Sequence, residues 1–235
     1  MTQLALPMEA APSYAAADFV PDASNEEALR WLSAPDRWPD GRLLLAGPPG
    51  TGKTHLLHAT AQAEGWTLLR GPDLRGLPEA PQRGVALDDA DLPGEEAALF
   101  HLINACAEAR LPLLMAAARP PSRWRVALPD LRSRLAATAV ALLDEPTDAL
   151  LDALLAKHLA DRQITLDPVL RLTLRRRLPR RAAVMAEAVA RLDRASLAAG
   201  RRLTRAASLA VLAPLMDDGS ETSDAEPVPP GAALL

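Results

Sequence analysis

Two hydrophobic rhythms divide the chain. Between residues 42 and 143, short and nearly continuous apolar runs recur: RLLLA at 42–46, WTLLR at 66–70, GVALDD at 84–89, LPLLMAAA at 111–118 and TAVALL at 138–143. Runs of this length, bounded by Gly, Pro and Asp, read as short strands, GVALDD and LPLLMAAA among them as buried ones. Stretches with the helical spacing of apolar positions lie between them: 53–64, stopped by Gly65, then EEAALFHLINACAEA at 95–109, then PDLRSRLA at 129–136 with its proline start. An earlier helix is predicted in SNEEALRWL at 24–32, with Ser24 or Asn25 as N-cap and acidic residues in its first turn. Strands alternating with helices predict an α/β fold: a parallel five-stranded sheet with helices on both faces.

After Glu145 and Pro146 the rhythm changes. Residues 147–164, 167–178, 181–200 and 204–216 all carry the helical period, and no strand pattern interrupts them. They predict a small all-α domain. The chain therefore divides into an arm at 1–17, an α/β domain at 18–145, a helical lid at 146–216 and an acidic, proline-rich tail at 217–235 that is expected to be disordered.

Composition sharpens this picture. Hydrophobic residues make up 49% of the 235, enough for a sizeable core, but aromatics are only 3%, so Leu, Ala and Val must build it. The single cysteine, Cys106, excludes an intrachain disulfide and reads as a small core residue. The net charge of −4 argues against a nucleic-acid footprint over the whole surface, although Arg175, Arg176, Arg177, Arg180 and Arg181 cluster late in the chain. No run reaches membrane-spanning length, and the N-terminus shows no signal-peptide pattern, so a cytoplasmic protein without membrane contact is expected. None of the four histidines has an acid partner at metal-ligand spacing.

The candidate chemistry lies at 47–54. Gly47, Pro48, Pro49, Gly50, Thr51, Gly52, Lys53 and Thr54 fit the phosphate-loop pattern, and they follow a strand and open a helix, as that pattern requires. Glycines allow backbone amides to approach phosphate oxygens, and the helix dipole points at the same anion. Lys53 reaches the terminal phosphates, and Thr54 offers its hydroxyl to magnesium; His55 follows at the same helix start. The partner acids should end a neighbouring strand, where Asp88 would hold Mg2+, partly through water, and Asp89 would orient or polarise an attacking water. Bound ADP or ATP with Mg2+ is the cofactor set expected.

With these residues placed, the chain resembles the AAA+ ATPases, and within them the DnaA branch. DFVPDASNEEAL at 18–29 is similar to the segment that packs around adenine, which implies nucleotide contacts from Phe19 and Val20; Asp22 stands at or beside a usual glycine. AARPPSRW at 117–124 resembles the loop after the sensor-1 strand. LPDLRSRLA at 128–136 resembles the box carrying an arginine finger, with Arg134 in the finger place and Arg132 as the neighbouring alternative. The sensor-2 arginine implied by the family falls on Arg180 or Arg181, with Arg177 and the register of Ala183 as alternatives. RLDRASLAAGRRLT at 191–204 resembles the end of the Hda-type, DnaA-related regulators, alphaproteobacterial HdaA-like forms included. The Hda-type resemblance carries the expectation of a chain without the DNA-binding helix-turn-helix of DnaA. The stretch Gln3 to Met8 resembles a sliding-clamp docking motif, with Gln3 at a pocket rim, Leu4, Leu6 and Met8 as anchors and Pro7 limiting freedom.

The resemblance implies a negative regulator of replication initiation. Such a protein, which the resemblance implies to be in its ADP form, docks on the DNA polymerase III sliding clamp, the beta subunit. There it stimulates ATP hydrolysis by the DnaA initiator. DNA contact would be indirect, through the clamp, and a homo-oligomer is compatible. The sensor-1 strand of the family ends in a polar residue, whereas Ala116, Ala117 and Ala118 stand here, so weak intrinsic hydrolysis is expected. The competing expectations are a DNA-acting AAA+ ATPase such as a helicase loader, and a DnaA paralogue with another partner.

Overall fold

The computed structural model describes residues 14–15, 18–77, 79 and 81–217; the clamp-motif residues Gln3, Leu4, Leu6, Pro7 and Met8 and the tail from 218 lie outside the described residues. Five strands, β1 (Arg42–Ala46), β2 (Thr67–Arg70), β3 (Val85–Asp88), β4 (Leu113–Ala117) and β5 (Ala139–Leu142), form one sheet in the order β2-β3-β4-β1-β5. Every pairing is parallel, and Ala46 is in register with Ala117 on one side and Leu142 on the other. Helices α1 (Glu26–Leu32), α2 (Lys53–Glu64), α3 (Glu96–Glu108) and α4 (Pro129–Ala136) cover it.

The two-residue period of β1 sorts its side chains between two cores. Leu43 and Leu45 pack with Ala28 of α1 and Leu56, Leu57 and Ala61 of α2. Leu44 and Ala46 face the other way, toward Leu99, Leu102 and Ile103 of α3 and Leu131 and Leu135 of α4. With both faces covered, a polar side chain at 43–46 would be costly; Arg42, at the start of β1, is buried with its guanidinium on Asp40 at 2.8 Å. Each fully buried leucine contributes about 1.5–3 kcal/mol relative to exposure.

The start of α1 differs from the sequence expectation. A 3-10 turn at Ala23–Asn25 precedes it, and Asn25 occupies the N-cap position without capping the helix. Its side chain instead accepts from the Asp22 amide at 3.0 Å and donates to the Val20 carbonyl at 3.1 Å. Asp22 takes the capping role, accepting from the amide and hydroxyl of Ser24 at 3.1 and 2.7 Å. The Asn25 side chain is spent on the backbone before it, which takes it from the first amides of α1.

Past β5 come α5 (Asp148–Asp161), α6 (Pro168–Arg177), α7 (Ala182–Ala199) and α8 (Arg205–Asp217). Thr147 caps α5 and Asp167 caps α6. Leu151, Leu155, Leu174, Val189, Leu192 and Leu212 form their core, with Val20 from the leading segment packed on it. No helix among the described residues is long and apolar enough to cross a membrane.

Candidate phosphate-binding site

β1 delivers the loop at 47–54 to the carboxyl ends of the central strands, where the strand order reverses and ligands of open α/β sheets bind. Gly50 and Gly52 have φ of +83° and +98°, the left-handed region that side chains resist, and Gly52 is the N-cap of α2. Lys53, the first residue of α2, donates from Nζ to the carbonyls of Gly47 at 2.7 Å and Pro48 at 2.8 Å. Thr51 Oγ1 donates to the same Pro48 carbonyl at 3.0 Å, while Pro49 is exposed at the loop's crest. The loop is thus wrapped around its own lysine. Burial holds the Lys53 ammonium below its ordinary pKa, and Asp88, Asp91 and Asp89 oppose that shift. A half-buried cation at a helix N-terminus, whose first amides lack intrahelical acceptors, attracts a polyanion.

The acids differ in what they do. Asp88 ends β3, and its Oδ1 accepts from the Asp89 amide at 3.0 Å. Asp89 lies at φ +52°, and its half-exposed carboxylate is 3.4 Å from the Arg70 guanidinium. Asp91, which the sequence reading passed over, accepts from the Ala118 amide at 3.2 Å and so ties this turn to the end of β4. Three acids within four positions were the available signal. Ala116 and Ala117 are buried and contribute only backbone: the Ala116 carbonyl accepts from Ala90 at 2.8 Å and the Ala117 carbonyl from Gly47 at 3.4 Å. Among the described residues no group of three or more His, Cys, Asp or Glu could hold a metal. Thr54 and Asp88 are hard oxygen donors that fit magnesium of the kind held partly by phosphates and water, and not a caged ion.

The lid closes against this loop at one residue. Arg181, at the N-cap of α7, lays its stem on Gly50: a Cβ on that glycine would sit 2.7 Å from Arg181 Cβ and 2.8 Å from its Cγ. The Ala182 amide donates to the Gly50 carbonyl at 3.3 Å. Arg180 points elsewhere. It donates to the Asp148 carboxylate and to the Pro146 carbonyl, the latter at 2.8 Å. Arg175 joins Asp148 at 3.3 Å and Asp152 at 2.9 Å. The hydrogen bond from Arg180 and its charge hold Asp148 below the usual carboxylate range. Arg177 is exposed at the end of α6, and Ala183 is exposed on α7.

The leading segment binds both lobes. Phe19 covers Gly52, its Cε2 3.1 Å from where a Cβ would stand, and lies 5.5 Å from the His55 ring. His55 Nε2 is 3.1 Å from the Ala15 carbonyl, and Tyr14 stacks on His58 at 4.2 Å. His55 therefore serves the leading segment as well as lying at the loop. On the lid side Asp18 pairs with Lys157 at 2.5 Å, and the Thr147 hydroxyl donates to Asp22 at 2.8 Å. Tyr14, His58, Asp22 and Lys157 carried no sequence signal of this role, beyond Lys157 being the only lysine other than Lys53.

Arg134 lies on the exposed face of α4, and its side chain makes no hydrogen bond or ion pair among the described residues. Arg132 is tied back, donating to the Val126 carbonyl at 2.5 Å. The Arg134 carbonyl accepts from buried Thr138 Oγ1 at 3.0 Å, and Thr138 in turn accepts from Arg42 Nε at 3.4 Å. The last turn of α4 is therefore pinned while the Arg134 guanidinium remains available.

No protein-family model matches the chain, and no curated protein matches it. Solved structures do. Domain III of the Thermotoga maritima replication initiation protein DnaA aligns with a TM-score of 0.72 at 19% identity, over 88% of this chain and 98% of that one. AMPPCP-bound DnaA from Aquifex aeolicus aligns at 0.63 and 18% identity, over 77% of this chain and 65% of that one. A variant of Thermotoga maritima RuvB aligns at 0.66 and 19% identity, over 89% and 75%. At these identities the likeness is one of fold, and the fold is that of the AAA+ domains of DnaA and RuvB.

Proposed function

We propose that this chain holds an adenine nucleotide between the phosphate loop and the helical lid, and that it acts on the ATP of a partner as an Hda-type regulator of the DnaA initiator. The observation that supports the reading is the seat of Arg181 on Gly50, a contact that would couple the lid's position to what the loop holds. Gly47 to Thr54 would grip the phosphates, Lys53 exchanging its two carbonyl acceptors for phosphate oxygens. Arg181 would reach the terminal phosphate. Phe19, Val20 and His55 would line the base side. Magnesium, held by Thr54 and Asp88, would neutralise phosphate charge.

In the partner's active site the working group is Arg134. A guanidinium inserted beside a neighbour's terminal phosphate neutralises charge that develops in the transition state, an effect worth about 10³–10⁵ in rate. Its own nucleotide would turn over slowly, since Ala116, Ala117 and Ala118 cannot hydrogen-bond water through their side chains. ADP then serves as a shape-setting ligand. Docking of Gln3 to Met8 on the sliding clamp in the cytoplasm would bring Arg134 to DNA-associated DnaA, with DNA reached through the clamp.

Calorimetry with ADP and with ATP, with and without magnesium, tests the first half; no affinity for either nucleotide overturns the reading. Hydrolysis of DnaA-bound ATP in the presence of clamp loaded on DNA tests the second, with several-fold acceleration expected. A DNA-acting motor or loader is the second reading, favoured by the alignment with RuvB over 89% of the chain. Brisk, DNA-stimulated ATP turnover by the isolated chain would select it.

A further inference from the structure

Of the arginines grouped at 175–181, Arg175 and Arg180 are committed to Asp148 and Asp152 and Arg181 lies on the loop, which leaves Arg176 and Arg177 exposed at the end of α6. A further basic surface of the lid lies at the other end of α7. That helix has 18 residues, so its C-terminus is about 26 Å from Gly50. There the chain turns through Gly200 at φ +61° into α8.

A cavity of about 510 Å³ opens at this corner, lined among others by Arg201, Arg202, Arg205, Ser208 and Leu197. The three arginines are exposed, and none makes an ion pair among the described residues. Arg162, also in the lining, is 3.8 Å from Asp193, and Asp167, the other acid of the lining, is occupied as the cap of α6. Ser208 is only 1% exposed, yet its hydroxyl has no hydrogen-bond partner among the described residues. Thr204 Oγ1 accepts from the Ala207 amide at 3.3 Å, which leaves the amides of Arg205 and Ala206 at the opening of a 13-residue helix. Leu197, 69% exposed, supplies an apolar edge.

We propose that this corner of the lid binds the phosphodiester backbone of single-stranded nucleic acid, in a site separate from the phosphate loop. Guanidinium forks, a hydroxyl and helix-start amides together match the several acceptor oxygens of a phosphate. An unstacked base has an apolar face to lay on Leu197, which a base buried inside a duplex lacks. A peptide carboxylate would take the same donors but brings no planar apolar face for Leu197.

Fluorescence anisotropy of a labelled oligothymidylate, titrated with the full chain in ADP, tests the proposal. The double variant Arg202→Glu/Arg205→Glu should bind about tenfold more weakly or worse, and its log–log salt slope should fall by about 1.4, at about 0.7 per single-strand phosphate. Ser208→Ala should weaken binding by a smaller factor. ADP affinity, measured by calorimetry on the same variants, should stay at the wild-type value, which separates failure here from failure of the nucleotide site. If the charge reversals unfold the lid, Arg202→Gln/Arg205→Gln replaces them. Unchanged oligonucleotide affinity in the folded variant overturns the proposal. So does equal affinity for duplex, or displacement by poly-glutamate as effective as by unlabelled oligonucleotide at matched charge.

Discussion

The stem of Arg181 rests directly on the backbone of Gly50, with Ala182 hydrogen-bonded to the same glycine's carbonyl at 3.3 Å. Two adjacent residues of the lid thus meet one residue of the phosphate loop. Neighbouring Arg180 is spent on the linker side, on Asp148 and Pro146. The two adjacent arginines have different jobs, and substitution should separate them. Arg181→Ala should lower nucleotide affinity by about 10–100-fold, the worth of one charge-assisted hydrogen bond. Arg180→Ala should leave affinity within about threefold while lowering the thermal midpoint, because it unpins the start of α5. Calorimetry and thermal melts on both variants make the comparison; equal losses of affinity would erase the distinction.

Gly50 itself should tolerate nothing larger. With φ of +83° and the Arg181 stem 2.7 Å from a Cβ, Gly50→Ala pays left-handed strain of about 1–2 kcal/mol and pushes the lid away. Limited proteolysis should find the lid more open in this variant, with or without ADP.

Lys53 carries a half-buried charge that the fold holds below its ordinary pKa, with loop carbonyls as its hydrogen-bond partners. Lys53→Ala should change the melting temperature of the nucleotide-free protein by only a few degrees, since removing a desolvated charge offsets the lost hydrogen bonds. The variant should lose the upward shift that saturating ADP produces in the wild type. That shift corresponds to about 2.7 kcal/mol at a hundredfold excess over Kd.

Arg134→Ala should fold, bind ADP and yet fail to accelerate hydrolysis by DnaA. Arg132→Ala should retain most of the acceleration, since the Arg132 side chain is already bound to Val126. Normal stimulation by the Arg134 variant would remove this residue from the mechanism. Thr138→Val tests the pin beneath it: a partial loss is expected, through freer motion of the last turn of α4.

Cys106 gives a pH prediction. Burial in the core between α3 and the sheet raises its thiol pKa from 9.0 to about 11. The folded state therefore holds this proton more tightly than the unfolded state. The resulting stabilisation is complete below pH 9 and is lost as the pH rises through about 11. The native thiol should resist Ellman's reagent at pH 8 and react promptly once guanidinium unfolds the protein. Rapid native labelling would contradict the core position.

Much was legible in local pattern. Leu43 to Leu45, with Gly47 to Thr54 behind them, specify a buried strand, a turn and a helix start through short-range sterics alone, and the structure places β1 and α2 at those bounds. The helical period after Pro146 likewise anticipated four helices, because a buried stripe must repeat every 3.6 residues wherever it packs. Other features depend on distant segments meeting, and no local rule encodes them. Arg180 and Arg181 are chemically identical and adjacent in sequence; only the angle at which α7 leaves its linker puts one on Gly50 and the other on Asp148. Asp22 looked like a weak substitute for glycine until the fold brought Thr147 to it, 125 residues later in the chain. Within the basic run at 175–181 the aspartates of α5 take Arg175 and Arg180, while Arg201, Arg202 and Arg205 are exposed around one cavity. Periodicity and turn chemistry are properties of neighbours along the chain, so the sequence alone determined the elements and the glycine-rich loop between β1 and α2. Which charge meets which partner is set by packing across tens to hundreds of residues, and only the tertiary structure decided it.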